Sequence, residues 1–290
     1  MVKNERKEKA MIKMFIQKFG GNFKPTFWSK YCQTELKKDL VIANWCDYKF
    51  EGEIKKGERL KIVGSVKPKV GDYDENTDLE IEKLADNAQY LDIDYANYFA
   101  FEVEDVNKAQ STPGYLDTEF NESKTALAEA EDAKVAEVAA KGALTSMKSA
   151  NTAITVDNSL TVIDEALKKL YKNNVDGKTD LAADLTPEHI VDARTKLASL
   201  FTENVDYIKN GAVGKYNKVY LRLSNNLYND GTVTNELIRT KKAVAVANAI
   251  DKVETCRKEK GFASIIKGLN VYGIKVVRPK EMYVIKVTNA

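Results

Sequence analysis

Apolar and charged residues alternate at Leu60-Lys61-Ile62 and again at Leu91-Asp92-Ile93, with Tyr95 continuing the second run. A period of two sets one face of each run against a core and the other in water, so both predict half-exposed strands. Phe99, Phe101 and Val103 share one face of a third strand. Elsewhere the spacing changes to three and four. Met11, Met14, Phe15 and Phe19 form one stripe among lysines, ended by Gly20-Gly21. Leu36, Leu40 and Ala43 predict a helix in the middle of residues 25–46. Residues 117–141 contain no Pro or Gly and are rich in Ala, Glu and Lys. They predict a long helix, a rod of roughly 37 Å at ~1.5 Å per residue. Its apolar set (Phe120, Leu127, Val135, Val138) is thin, so the rod is expected on a surface.

The second half mixes both periods. Leu160, Ile163, Leu167 and Leu170 mark an amphipathic helix stopped by Asn173-Asn174 and Gly177. Thr186-Pro187-Glu188 reads as an N-cap, a proline at the first helical position and an acid at the positive helix end. Ile190, Leu197 and Leu200 continue that helix. Val219, Leu221 and Leu223 alternate as a strand, and Ser224 is read as the cap of a short helix to Tyr228. Ala247, Ile250 and Val253, at three-residue steps, predict a helix over 237–258. Residues 271–277 and 282–287 are two β-rich runs around Arg278-Pro279. Between the first two strands, 66–86 carries Pro68, Gly71 and the acids Asp72, Asp74, Glu75 and Asp78. An excursion this long, with so little apolar surface, cannot bury itself and is expected to be functional or disordered.

Composition removes several classes of function. The 290 residues suffice for one large domain or two modest ones, and 43% hydrophobic with 30% charged residues belongs to a globular chain. The net charge of +2 lacks the basic excess of proteins that live by gripping phosphates. No stretch approaches the ~20 apolar residues of a bilayer span, and export through a cleaved signal is not expected. Cys32, Cys46 and Cys256 are odd in number and form no CxxC pair, as for reduced thiols. His189 is the only histidine, which excludes a zinc site with several His ligands; it is read as solvated in a helix's first turn.

No GxSxG elbow, Walker loop, HExxH or dinucleotide fingerprint occurs. Asp92/Asp94 and Glu102/Glu104 are read as the solvated sides of amphipathic strands. The Asp72–Asp78 acids lack the glycine and terminal glutamate of a calcium loop. Gly268, Gly273, Gly52 and Gly57 are read as turn glycines. Phe27, Trp28 and Tyr31, then Trp45 and Tyr48, have too few neighbouring bases for a nucleic-acid stacking platform and are read as core or subunit contacts.

The order of several segments resembles a known family. Phe27-Trp28-Ser29, Leu36, Lys38-Asp39-Leu40-Val41, Tyr48-Lys49-Phe50-Glu51-Gly52-Glu53-Ile54 and Gly57 come first. Leu91-Asp92-Ile93-Asp94, Tyr98 through Val106 and Lys108-Ala109-Gln110 follow, then the Ala-rich run, Val219-Tyr220-Leu221-Arg222-Leu223-Ser224 and Tyr272 through Pro279. In this order they resemble tailed-bacteriophage major capsid (coat) proteins, over about 25–287. The chain departs from the family in its charged N-terminal extension and in an axial region rich in predicted helix.

The resemblance implies an α+β fold with an N-arm, an extended loop, a spine helix with a peripheral β-sheet, and an axial domain, shared with encapsulins. It places the arm and short helix at 1–49, the extended-loop hairpin at 50–95, the peripheral domain at 96–150 and 261–290, and the axial domain at 151–260. It implies a shell subunit, not an enzyme, with no cofactor or metal. Such a subunit forms hexamers and pentamers, a procapsid and then a mature head around double-stranded DNA held non-specifically. A scaffolding protein and a portal protein are its implied partners, and no membrane is. Its place is the virion, assembled in the cytoplasm of a bacterial host. An encapsulin-like nanocompartment shell protein is the alternative, and a soluble binding protein the more distant one. Candidate subunit contacts are Phe27, Trp28, Glu51, Lys55, Lys56, Arg59, Lys67, Lys69, Asp72, Asp74, Glu75 and Asp78. Charges of both signs in the projecting segments suit register and specificity between copies more than raw affinity.

Overall fold

The structure is a computed structural model and describes residues 40–48, 59–64, 87–104, 115–200 and 212–288. The expected helical stripe of 11–19 and the excursion 66–86 lie outside the described residues, as does most of the helix expected within 25–46. Of that helix, only a short 3₁₀ turn at Ala43–Trp45 is described.

Strands β1 (Arg59–Gly64) and β2 (Asn87–Asp92) pair antiparallel, from Arg59 opposite Asp92 to Gly64 opposite Asn87. β3 (Tyr95–Glu104) follows. These are the strands that the two-residue alternation predicts. The long helix α1 (Tyr115–Gly142) also forms, but not as a surface rod. Phe120, Leu127, Ala128, Val135, Ala136, Ala139 and Ala140 are buried along one face, with Lys124, Glu131 and Asp132 buried among them. Much of the stripe is alanine and charge, which is why its apolar content looked thin. Small side chains let α1 approach its neighbours closely, and the buried acids find hydrogen-bond donors.

α2 (Ser159–Lys172) and α3 (Pro187–Leu200) match the sequence reading closely. α2 ends at Asn173, and Asn174 takes a left-handed φ of 62°, a common way to stop a helix. The hydroxyl of Thr186 accepts the N–H of His189 at 3.4 Å, as an N-cap does.

The remaining strands are β4 (Lys148–Thr152), β5 (Leu181–Leu185), β6 (Ala212–Tyr216), β7 (Val219–Leu223), β8 (Tyr228–Asn229), β9 (Val233–Thr240), β10 (Val244–Arg257), β11 (Ala263–Val276) and β12 (Met282–Thr288). Two expectations fail here. The helix expected over 237–258 is instead the end of β9 and all of β10. Every residue of β9 is buried, as are Val244 through Ala247 in β10. Strands covered on both faces lose the two-residue alternation, so three-residue coincidences misled the reading. The short helix expected after Ser224 is absent: the Ser224 hydroxyl accepts the N–H of Asn226 at 3.2 Å, and the chain then enters β8. The span 151–260 is accordingly less helical than expected, with α2 and α3 set among strands.

One sheet runs β10-β11-β3, and a larger mixed sheet runs β4-β12-β9-β5-β7-β6 with β8 beside β9. β10 thus joins the smaller sheet and β12 the larger one, so neither sheet is contiguous in sequence. α1 lies between them. Its buried face shares a core with Val244, Val246, Val253, Tyr272 and Ile274 of the smaller sheet, and with Leu237, Met282 and Val284 of the larger. The other face of the larger sheet packs Ile238, Tyr283 and Ile285 against α2 and α3.

Gly268 and Gly273 are mid-strand in β11, not turn residues. A Cβ on Gly268 would strike the ring of Phe99, and one on Gly273 would lie 2.6 Å from the Asp92 carbonyl oxygen. Both glycines admit close packing of a neighbouring element.

Candidate assembly site

Two segments that adjoin stretches outside the described residues form rigid bases. The first base is the segment 40–48. The Asp132 carboxylate of α1 accepts the N–H groups of Val41 and Ala43, each at 2.7 Å. From β9, the fully buried Arg239 guanidinium donates to the carbonyls of Ile42, at 2.7 Å, and Trp45. It also donates to the Asp184 carboxylate at 3.2 Å, and Arg222 Nε lies 3.6 Å from the same carboxylate. Asp47 exchanges backbone hydrogen bonds with β10, from its N–H to the Val244 carbonyl and from the Val246 N–H to its own carbonyl. Trp45 packs on Tyr220, with ring centroids 5.5 Å apart. Nine residues therefore touch α1 and both sheets.

Burial dominates the electrostatics of this base. It pushes the Cys46 thiol up to about 11, with Arg239 opposing, so Cys46 is an inert core residue. Burial likewise raises Asp132 above the usual carboxylate range, although backbone N–H groups of 41–43 pull it down.

The second base is the β1–β2 pair. Ile62, Leu91 and Ile93 pack with Ala245, Ala247 and Val271 of the smaller sheet. Arg59 pairs with Asp92 at 2.6 Å and lies over the Tyr90 ring. Gln89 donates to the Val277 carbonyl at 3.3 Å. Of the twelve contact candidates, Arg59 alone is placed: it is exposed at the foot of the hairpin. Phe27, Trp28, Glu51, Lys55, Lys56, Lys67, Lys69, Asp72, Asp74, Glu75 and Asp78 lie outside the described residues, and Cys32 does too.

The sequence reading missed both buried ionic groups. Arg239 follows Leu237-Ile238 and precedes Thr240-Lys241-Lys242, and nothing in its spacing distinguishes it from a surface arginine. His189 is not solvated: it is fully buried, with Nδ1 2.6 Å from Glu236 Oε2. Only its place one turn after Thr186 hinted that it could face inward. Of the acids read as solvated, Asp94, Glu102 and Glu104 are exposed, while Asp92 is half-buried and paired with Arg59. Two aromatic side chains stand out on the smaller sheet: Tyr98 is 77% exposed and Phe262, in the β10–β11 turn, 81%.

A groove of about 690 Å³ opens between α1, β3 and β8. In it Glu137 is held below the usual carboxylate range by hydrogen bonds from Lys134 and Lys141. Tyr272, pushed up to about 12 by burial, accepts from Asn97 at 3.0 Å. Among the described residues no group of three or more His, Cys, Asp or Glu is placed to hold a metal ion. No described helix is long and apolar enough to cross a membrane.

No family model matches the sequence, and no curated protein matches it. Solved structures do. One from Mycobacterium phage Che8 is 26% identical, with 85% of this chain and 90% of that chain covered and a TM-score of 0.67. The capsid structure of cyanophage P-SCSP1u is 20% identical, with 83% and 86% covered and a TM-score of 0.64. A virus-like particle from Pyrococcus furiosus is 11% identical, with 88% and 95% covered and a TM-score of 0.55. These likenesses define a mixed α+β fold common to phage capsids and a virus-like particle. Within it, the chain has the tailed-phage major capsid protein fold.

Proposed function

We propose that this chain is a major capsid protein that self-assembles into an icosahedral shell, first a procapsid and then a mature head, around double-stranded phage DNA. The observation that carries the reading is the pair of anchored bases. Segment 40–48 and the β1–β2 hairpin are each fixed by buried contacts; the hairpin leads into sequence with little apolar surface of its own, and segment 40–48 follows the stretch whose apolar stripe and aromatics are read as subunit contacts. Such sequence gains its stabilising contacts from neighbouring copies. Repeated head-to-tail contacts between identical subunits close into rings and shells.

In this reading α1 with β3, β10 and β11 is the peripheral unit, and the larger sheet with α2 and α3 is the axial unit around which hexamers and pentamers form, which moves β10 out of the axial span 151–260 and β12 out of the peripheral span 261–290 that the resemblance implies. A scaffolding protein and a portal protein are the partners, the site of assembly is the bacterial cytoplasm, and the work is structural, not catalytic. The net charge of +2 suits a lining that holds DNA non-specifically without clamping it. The likeness to the Pyrococcus furiosus particle supports a second reading, a nanocompartment shell; an enzyme cargo inside the particles would favour it over DNA.

The test is a deletion. Gly64 and Asn87 are a directly opposed pair, so 65–86 can be replaced by an Asn-Gly turn without disturbing the packed hairpin base. The variant is expected to keep the parent's circular dichroism and melting behaviour while closed particles disappear from micrographs. Particles closing normally would refute the role given to this segment.

A further inference from the structure

The larger sheet contains a buried histidine–carboxylate contact. His189 and Glu236 are both fully buried. Nδ1 of the ring faces Glu236 Oε2 at 2.6 Å, and Nε2 faces the Ser159 carbonyl oxygen at 3.0 Å. Both partners are acceptors. A neutral imidazole carries one N–H and can satisfy only one of them, leaving two lone pairs opposed in a site without water access. A second proton is therefore needed, on the ring or on Glu236.

The surroundings of Glu236 decide where it sits. Oε1 already accepts the Thr186 N–H and the Thr186 hydroxyl, both at 2.8 Å. Donors directed at a carboxylate favour its ionised form. The proton then belongs to the ring. We propose that His189 is a buried imidazolium clasping α2, α3 and β9, and that the clasp opens when the ring loses its proton as pH rises.

The charges around it agree. Glu236 approaches from β9 and Asp192 from α3 itself, both acidic, while α2 contributes the Ser159 carbonyl. The Lys196–Asp157 pair, at 2.9 Å, links α3 to the turn before α2. Asp184 is opposite Leu237 in the strand register, and Leu237 faces α1. Asp184, Arg222 and Arg239 thus lie on the far face of the sheet from His189. Opposing the cation are burial, the largest single influence on the ring, and the positive end of α3. The hydrogen bond and charge of Glu236 outweigh them, and the net direction is upward from 6.5.

The sign follows. A histidine whose folded pKa lies above its unfolded value contributes stability that is complete below the unfolded value. That stability is lost as pH rises through the folded value. The clasp is closed below the ordinary histidine value of 6.5 and releases the first turns of α2 and α3 as pH rises through the raised folded value. This inference stands on the interior of the axial sheet and does not depend on the shell reading.

His189 is the only histidine in the chain, so its titration can be read without assignment. The full chain labelled with ¹⁵N-histidine, by solid-state NMR where it is assembled, is expected to show both ring nitrogens protonated at pH 6. The midpoint is expected above 6.5. Amide protection factors at the starts of α2 and α3 are expected to fall about tenfold across that midpoint. Glu236→Gln is expected to move the midpoint down. A neutral ring tautomer at pH 6, or a midpoint at or below the free-histidine value, overturns the proposal. If Glu236→Gln does not fold, the parent chain's titration decides alone.

Discussion

Replacing Arg239 by methionine is expected to destabilise the subunit by about 3–5 kcal/mol, the range for breaking a buried ion pair by removing one partner. Methionine roughly keeps the length of the side chain but none of its five donors. The carbonyls of Ile42 and Trp45 would lose their guanidinium partner. Asp184 would stay buried, with Arg222 Nε at 3.6 Å as its remaining cation. Urea denaturation of the unassembled subunit measures the loss. A change below about 1 kcal/mol would show that the guanidinium does not hold segment 40–48 in place. Removing Asp184 as well, as Arg239→Met/Asp184→Leu, is expected to recover part of the stability, because the uncompensated charge goes with it.

The second large effect is expected at the opposite side of the same segment. Asp132→Ala removes both acceptors for the Val41 and Ala43 N–H groups. Hydrogen bonds to a charged group contribute roughly 1.5–3 kcal/mol each. The desolvation that raises the Asp132 pKa offsets part of that, so the expected net loss is about 2–4 kcal/mol. Limited proteolysis reports the local consequence: cleavage within 40–48 is expected to accelerate more than cleavage in α2 or α3. Equal acceleration everywhere would mean that Asp132 supports the core in general and not this segment.

Both side chains matter because the segment they hold is the point of departure for the residues before it. In the proposed shell, an arm would reach a neighbour in a reproducible direction only if its root is fixed. Segment 40–48 is fixed by a carboxylate on α1, a guanidinium on β9 and a backbone bridge to β10. The hairpin is fixed by apolar packing and by Gly273, where the backbone at Asp92 comes too close for a side chain.

The elements legible in the sequence are those with one wet face. β1, β2 and β3 alternate because solvent covers one side, and α2 declares itself through Leu160, Ile163, Leu167 and Leu170 for the same reason. Elements covered on both sides were misread. β9 and the start of β10 are buried throughout, so no period marks them. The packing of α1 was hidden differently, since Ala128, Ala136, Ala139 and Ala140 bury little area each yet line a core. Long-range polar contacts left no trace in spacing: Arg239 and Ile42 are 197 positions apart, and His189 and Glu236 are 47. The order of moderate motifs carried the family resemblance through these local errors, because topology is shared even where periodicity is masked.

The most direct test of the shell reading is negative-stain microscopy with light scattering on the full chain, expressed with and without a neighbouring scaffold gene. Closed particles of uniform diameter, or capsomer rings that close when the scaffold is present, are the expected result. A monodisperse monomer at high concentration under both conditions would contradict it.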